Sequence, residues 1–147
     1  MKNMLLNYDF KIPYNNEPMY FILEGNISYD RGEILSSRTL SLTMKDDEAS
    51  VTYEPFIDVS RARAVTAGFL VRAVGVDYAA CELTFYDDKF QPITCKSLEF
   101  THCIGYAFTN VANNFRTPKD AAYCTVRIKF IGSATALTLY KPYFKKG

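Results

Sequence analysis

The chain has 147 residues, 48% of them hydrophobic and 22% charged. That is the length of a single domain with enough apolar mass for a packed core, which excludes an intrinsically disordered chain. A formal net charge of +1 also excludes a global field that would draw the chain to nucleic acid or to an acidic membrane.

Met1 to Asp9 has too short an apolar run for a signal peptide, and no stretch nears the roughly 18 apolar residues of a membrane span. The expectation is a cytoplasmic protein, or one released as part of a particle. Leu5 to Ile12 alternates and ends at Pro13, which predicts a first strand. Tyr14-Asn15-Asn16-Glu17-Pro18 reads as a loop. Tyr20 to Glu24 is a short apolar run, and Ile27-Ser28-Tyr29 reaches a turn signal at Asp30-Arg31-Gly32. Ser37 to Met44 alternates again, with Leu40, Leu42 and Met44 inward. Lys45-Asp46-Asp47-Glu48 reads as a charged loop tip.

Ser50 to Val59 is extended, with Pro55 marking an edge or a bulge. Ala64 to Ala73 is the most apolar segment and is predicted to be a central strand. Ala80 to Tyr86 is predicted to pair back on it through a turn at Val74 to Tyr78. Asp87 to Pro92 is a polar turn, and two extended stretches surround Thr94 to Phe100 and Ile104 to Asn110. Asn113 to Asp120 reads as the longest loop. In the next segment Cys124, Val126, Ile128 and Phe130 fall on one face, and Tyr123, Thr125, Arg127 and Lys129 on the other. Gly132-Ser133 is predicted to separate this strand from a last one, Ala136 to Phe144. About ten strand-like segments with regular turn signals predict an all-β sandwich filling 1–147 as one domain.

Cys81, Cys95, Cys103 and Cys124 form no CxxC pair and share no zinc spacing with a histidine, so they are expected to be reduced thiols, with Cys81 and Cys124 in the core. His102 is the only histidine. On a strand it would face away from Thr101 and Cys103, which leaves no local nucleophile–base pair. The seven glycines are dispersed and build no phosphate loop. No enzyme is expected.

Five segments carry a family resemblance. They are Leu5-Leu6-Asn7-Tyr8-Asp9-Phe10, Arg38 to Leu42, Val51 to Val59, Leu83-Thr84-Phe85-Tyr86-Asp87, and Phe115 to Val126 with its proline and alanines. Their order resembles the carbohydrate-binding modules of the galactose-binding-like jelly-roll fold. The resemblance implies a jelly-roll β-sandwich of two antiparallel sheets and a glycan as ligand. It also implies a structural calcium held by aspartates of the last strand. Here that place reads Leu139-Tyr140-Lys141-Pro142-Tyr143, and Lys141 sets a cation where calcium needs oxygen ligands. No metal or other cofactor is expected.

The wet strand faces hold the candidate ligand-binding residues Tyr86, Glu82, Tyr123, Arg127 and Arg72. Tyr can stack on a sugar's C–H face, and charged groups can bond its hydroxyls. Aromatics make up 15% of the chain and none is Trp, so Tyr must serve. The loops at Tyr14 to Glu17, Tyr29 to Arg31 and Asn110 to Phe115 are a second type of candidate site. The expected partner is an oligo- or polysaccharide. The alternative is a structural or assembly protein, such as a bacteriophage tail component, that pairs through its edge strands into a homo-oligomer or with another protein.

Overall fold

The computed structural model describes residues 2–34 and 37–147, without the side chains of 30–34 and 135–136. Ten strands lie among them. They are β1 (Pro13–Tyr14), β2 (Glu17–Pro18), β3 (Phe21–Glu24), β4 (Ile27–Ile34), β5 (Ser37–Asp58), β6 (Ala64–Arg72), β7 (Val76–Tyr86), β8 (Pro92–Glu99), β9 (Thr109–Arg116) and β10 (Tyr123–Lys146). A 3-10 turn covers Thr101–Cys103. β1 and β2 form a small hairpin, and all pairings are antiparallel.

Two long strands build the sandwich. The first half of β10 lies between the second half of β5 and β7, giving a first sheet in the order β3-β5-β10-β7-β8. The second half of β10 lies between the first half of β5 and β6, giving a second sheet in the order β4-β5-β10-β6-β9. This is the expected all-β jelly-roll sandwich.

The inward side of the alternation in β10 is dry. Cys124, Val126, Ile128 and Phe130 are at most 8% exposed, and full burial of such a side chain contributes about 1.5–3 kcal/mol. Phe69 of β6 packs on Phe100 at 5.0 Å, and Phe100 on Phe130 at 5.8 Å, so one run of rings joins the two sheets. Phe130→Ala is expected to cost about 3–5 kcal/mol, measured by urea denaturation.

Several expectations are corrected. Leu5 to Ile12 is not a strand, since Asn7 and Phe10 take positive φ (54° and 59°). The Asn7 side chain accepts a bond from the Ile12 amide at 2.8 Å and donates to the carbonyls of Ile12 and Met19. The apolar spacing reflects two anchors, Leu5 and Phe10, dropped into the core. Asn113 to Arg116 is strand, not loop. Val111 and Phe115 point inward while Asn114 bonds Thr66 at 3.0 Å. β7 does not pair with β6, because the chain crosses between sheets at Val74-Gly75 and β7 joins β10 and β8.

Lys45 to Glu48 and Gly132-Ser133 were expected to be turns. They lie opposite each other across the ladder, with Gly132 paired to Asp47. Asp46 (φ 49°) and Gly132 (φ 121°) sit there beside shifts in register. The turn-forming residues bend two paired strands from one sheet into the other and reverse neither. Pro55 does lie in a bulge, where Tyr53 to Ile57 of β5 faces Cys124 to Val126. β6 is an interior strand, as expected.

All four cysteines are free, Cys81 and Cys124 buried, Cys95 and Cys103 exposed. Burial pushes the Cys81 thiol from 9.0 up to about 12 and raises Cys124 as well. A raised thiol pKa favours the folded state below the unfolded value and stops doing so as pH climbs through the folded one. Stability is therefore expected to fall between pH 9 and 12, and less steeply in Cys81→Ala. A thiol reagent at pH 8 should label two cysteines in the native protein and four in urea.

Candidate functional site

The outward residues of β10 bring four of the five predicted ligand-binding side chains together on the first sheet. Tyr123 lies directly opposite Tyr86, Thr125 opposite Thr84, and Arg127 opposite Glu82. Arg127 reaches Glu82 and Glu48 at 3.5 Å each, and Lys129 reaches Glu48 at 3.3 Å. These long, partly exposed ion pairs hold little energy, so their groups can exchange hydrogen-bond partners at small cost.

Arg72 is not among them. It ends β6 in the second sheet, opposite Thr138, with its guanidinium 4.7 Å over the Phe108 ring. The alternation that turned it outward is real, but β6 and β7 belong to different sheets.

Two residues that sequence reasoning missed complete an aromatic cluster. Phe56 leaves β5 within the Pro55 bulge, which turns its ring outward at 47% exposure. Phe90 stands at the tip of the turn between β7 and β8, 48% exposed. The Asp87 carboxylate shapes that turn by accepting the amides of Lys89 and Gln91 at 2.9 and 3.0 Å, and Phe90 takes φ 62°. Phe90 stacks on Tyr123 with centroids 4.5 Å apart and planes 14° apart. Phe56 meets Tyr86 and Phe90 edge-on at 5.1 and 5.0 Å, and Tyr123 at 6.2 Å. The signals for these two were a phenylalanine beside a strand proline and another in a turn of otherwise polar residues.

Asp58, opposite Tyr123 on its other side, adds a carboxylate to this end. The hydroxyl and the amide of Ser60 bond it and hold it below the usual carboxylate range. The face thus offers exposed rings at one end and a row of charges running away from them. From Tyr123 to Lys129 it spans about 20 Å at the rise of a strand.

The loop candidates resolve differently. Tyr14 to Glu17 is the tip of the β1–β2 hairpin, Tyr29 to Arg31 lies in β4, and Asn110 to Phe115 lies in β9. His102 sits in the 3-10 turn rather than on a strand. Among the described residues no group of three or more His, Cys, Asp or Glu is placed to hold a metal. The implied calcium does not fit the surroundings of Lys141, where the cleft is lined by Asn, Tyr and Lys without a carboxylate. Among the described residues no helix is long and apolar enough to cross a membrane.

No protein-family model matches the chain, and no curated protein matches it in sequence. Solved structures do resemble it. TmCBM61, solved in complex with β-1,4-galactotriose, superposes with a TM-score of 0.69 at 12% identity over 100% of both chains. A CBM4 carbohydrate-binding module superposes at 0.61 and 15% identity over 97% of this chain and 99% of its own. The enzymatically active domain of tailspike protein 4 from bacteriophage CBA120 superposes at 0.73 and 12% identity. It covers 97% of this chain, which spans only 21% of the tailspike domain. At these identities the likeness shows the fold, the jelly roll of carbohydrate-binding modules.

Proposed function

We propose that this chain is a non-catalytic carbohydrate-binding module that holds an oligosaccharide on the outer face of its first sheet. The observation that carries this reading is the cluster of Phe56, Tyr86, Phe90 and Tyr123 at the head of the Arg127–Glu82 row. Sugars present apolar C–H faces rimmed by hydroxyls, and a site for them combines rings with hydrogen-bonding groups. Phe90 covers one face of Tyr123. The exposed surfaces of Phe56 and Phe90 therefore take the stacking role, with Tyr86 and Tyr123 beneath them as support and as phenol donors. The length of the row suits several linked sugars. The fold shared with TmCBM61, itself solved with galactotriose, supports the same reading.

A glycan-array screen of the purified chain tests it. A selective hit, lost in Tyr86→Ala and in Tyr123→Ala with folding intact, is the expected result. A hit retained in both variants would place the site elsewhere.

The exposed phenylalanines also favour a second reading, an assembly domain that docks protein. They lack hydroxyls and offer apolar area of the kind that anchors interfaces, and the tailspike likeness agrees with it. The partner would sit on this face rather than along β8. That edge carries Pro92 and turns Lys96 sideways to bond the Arg116 carbonyl of β9 at 2.5 Å, devices that discourage strand addition. Under this reading light scattering gives a defined oligomer that Phe56→Ala with Phe90→Ala dissolves. A strict monomer at high concentration would exclude self-assembly.

A further inference from the structure

The second sheet has its own outward cleft, of about 420 Å³, between β6, β9, the end of β10 and the N-terminal segment. Cavities of that size hold small ligands. The register shift between Tyr140 and Tyr143, with Lys141 at φ 50°, separates two tyrosines. Tyr140 stays in the core at 3% exposure, and Tyr143 turns outward. Its ring lies against the backbone of Gly68, where a Cβ would come within 2.5 Å of Oη and 2.6 Å of Cζ. Gly68 thus lets the ring lie along the sheet. Tyr143 Oη donates to Asn110 Oδ1 at 3.5 Å, and the Asn110 amide nitrogen donates to no described residue. Tyr8, 44% exposed, supplies a second ring.

The charges distinguish this cleft from the first face. There Arg127 and Lys129 are neutralised by Glu48 and Glu82. Here Lys141 and Lys145 line the cleft, and neither pairs with a carboxylate among the described residues. The Lys145 ammonium lies 5.2 Å from the centroid of the cleft's own Tyr143 ring. Two ammonium groups without a carboxylate partner, two rings and a free side-chain amide match a sugar that carries its own anion.

We infer that this cleft is a separate site for an anionic sugar residue, with its ring on Tyr143 and Tyr8 and its carboxylate or sulfate between Lys141 and Lys145. The site is independent of the first face, and either can exist without the other.

Affinity electrophoresis through polygalacturonate, a sulfated galactan and neutral β-1,4-galactan tests it. At least one of the two anionic polymers is expected to retard the protein, and which one does so distinguishes carboxylate from sulfate. Tyr143→Ala, and Lys141→Ala with Lys145→Ala, should each weaken that retention at least tenfold. Phe56→Ala with Phe90→Ala should leave it unchanged. Tyr8→Ala, on a ring with little packing to lose, gives the same reading should Tyr143→Ala fail to fold. No retardation by either anionic polymer would overturn the inference. Retention lost only in the phenylalanine variant would overturn it too. So would retention lost in the lysine variant but kept in both tyrosine variants, which would be charge attraction without a site.

Discussion

Phe90→Ala is expected to weaken binding of the glycan that the array identifies by tenfold or more, while the melting temperature moves by only a few degrees. Phe90 is half exposed at a turn tip, so its removal leaves no buried cavity. The turn itself is held by Asp87 and by backbone bonds that the substitution leaves in place. A tenfold loss corresponds to about 1.4 kcal/mol, within reach of one aromatic contact. A stability change of about 1 kcal/mol would shift the melting point of a domain this size by about 2–4 °C. Arg127→Ala should have a smaller effect, twofold to fivefold, because its ion pairs with Glu48 and Glu82 are long and partly solvated. Isothermal titration of both variants against the same oligosaccharide measures the contrast. Unchanged affinity in Phe90→Ala would remove the proposed platform.

Gly132→Ala should destabilise the fold by about 2–6 kcal/mol. Gly132 has φ 121°, and a Cβ there would lie 2.8 Å from the backbone nitrogen of Asp77. A side chain at such a φ costs about 1–3 kcal/mol, and crowding against a fixed backbone typically adds about 1–3 kcal/mol. The neighbouring strand β7 cannot retreat easily, since β10 holds it at Val76 and Tyr78 on either side of Asp77, and β8 holds it from Ala80 onward. The midpoint in urea reports the loss, with the slope unchanged if the native sheet survives. A change below about 0.5 kcal/mol would mean that the bend does not need glycine.

What was legible in the sequence followed from the period of the strands. The two faces of Tyr123 to Phe130 could be assigned because side chains alternate whatever the strand pairs with. That same rule placed Glu82 and Tyr86 outward. It could not say which strands would be neighbours, and so Arg72 was grouped with side chains that the other sheet carries. Turn residues were read as reversals at Lys45 to Glu48 and at Gly132-Ser133. A bend shared by two paired strands uses the same residue types, and only the pairing of Gly132 with Asp47 tells the two apart. Phe56 and Phe90 were overlooked because exposure of an aromatic depends on a bulge and a turn conformation, neither of which has a hydrophobic period.

Because β10 is the central strand of both sheets, neither can close until β10 is available. Tyr123 must find Asp58, and Lys146 must find Val65, each across about half of the chain's length. Pairings of such long range make folding slow, on the order of milliseconds to seconds. A growing chain would therefore hold β5, β6 and β7 unpaired along the edges that face β10 until synthesis reaches Lys146. Both sheets would close only after β10 has been made, which leaves the nascent segment before it a natural client for chaperones that shield open strands.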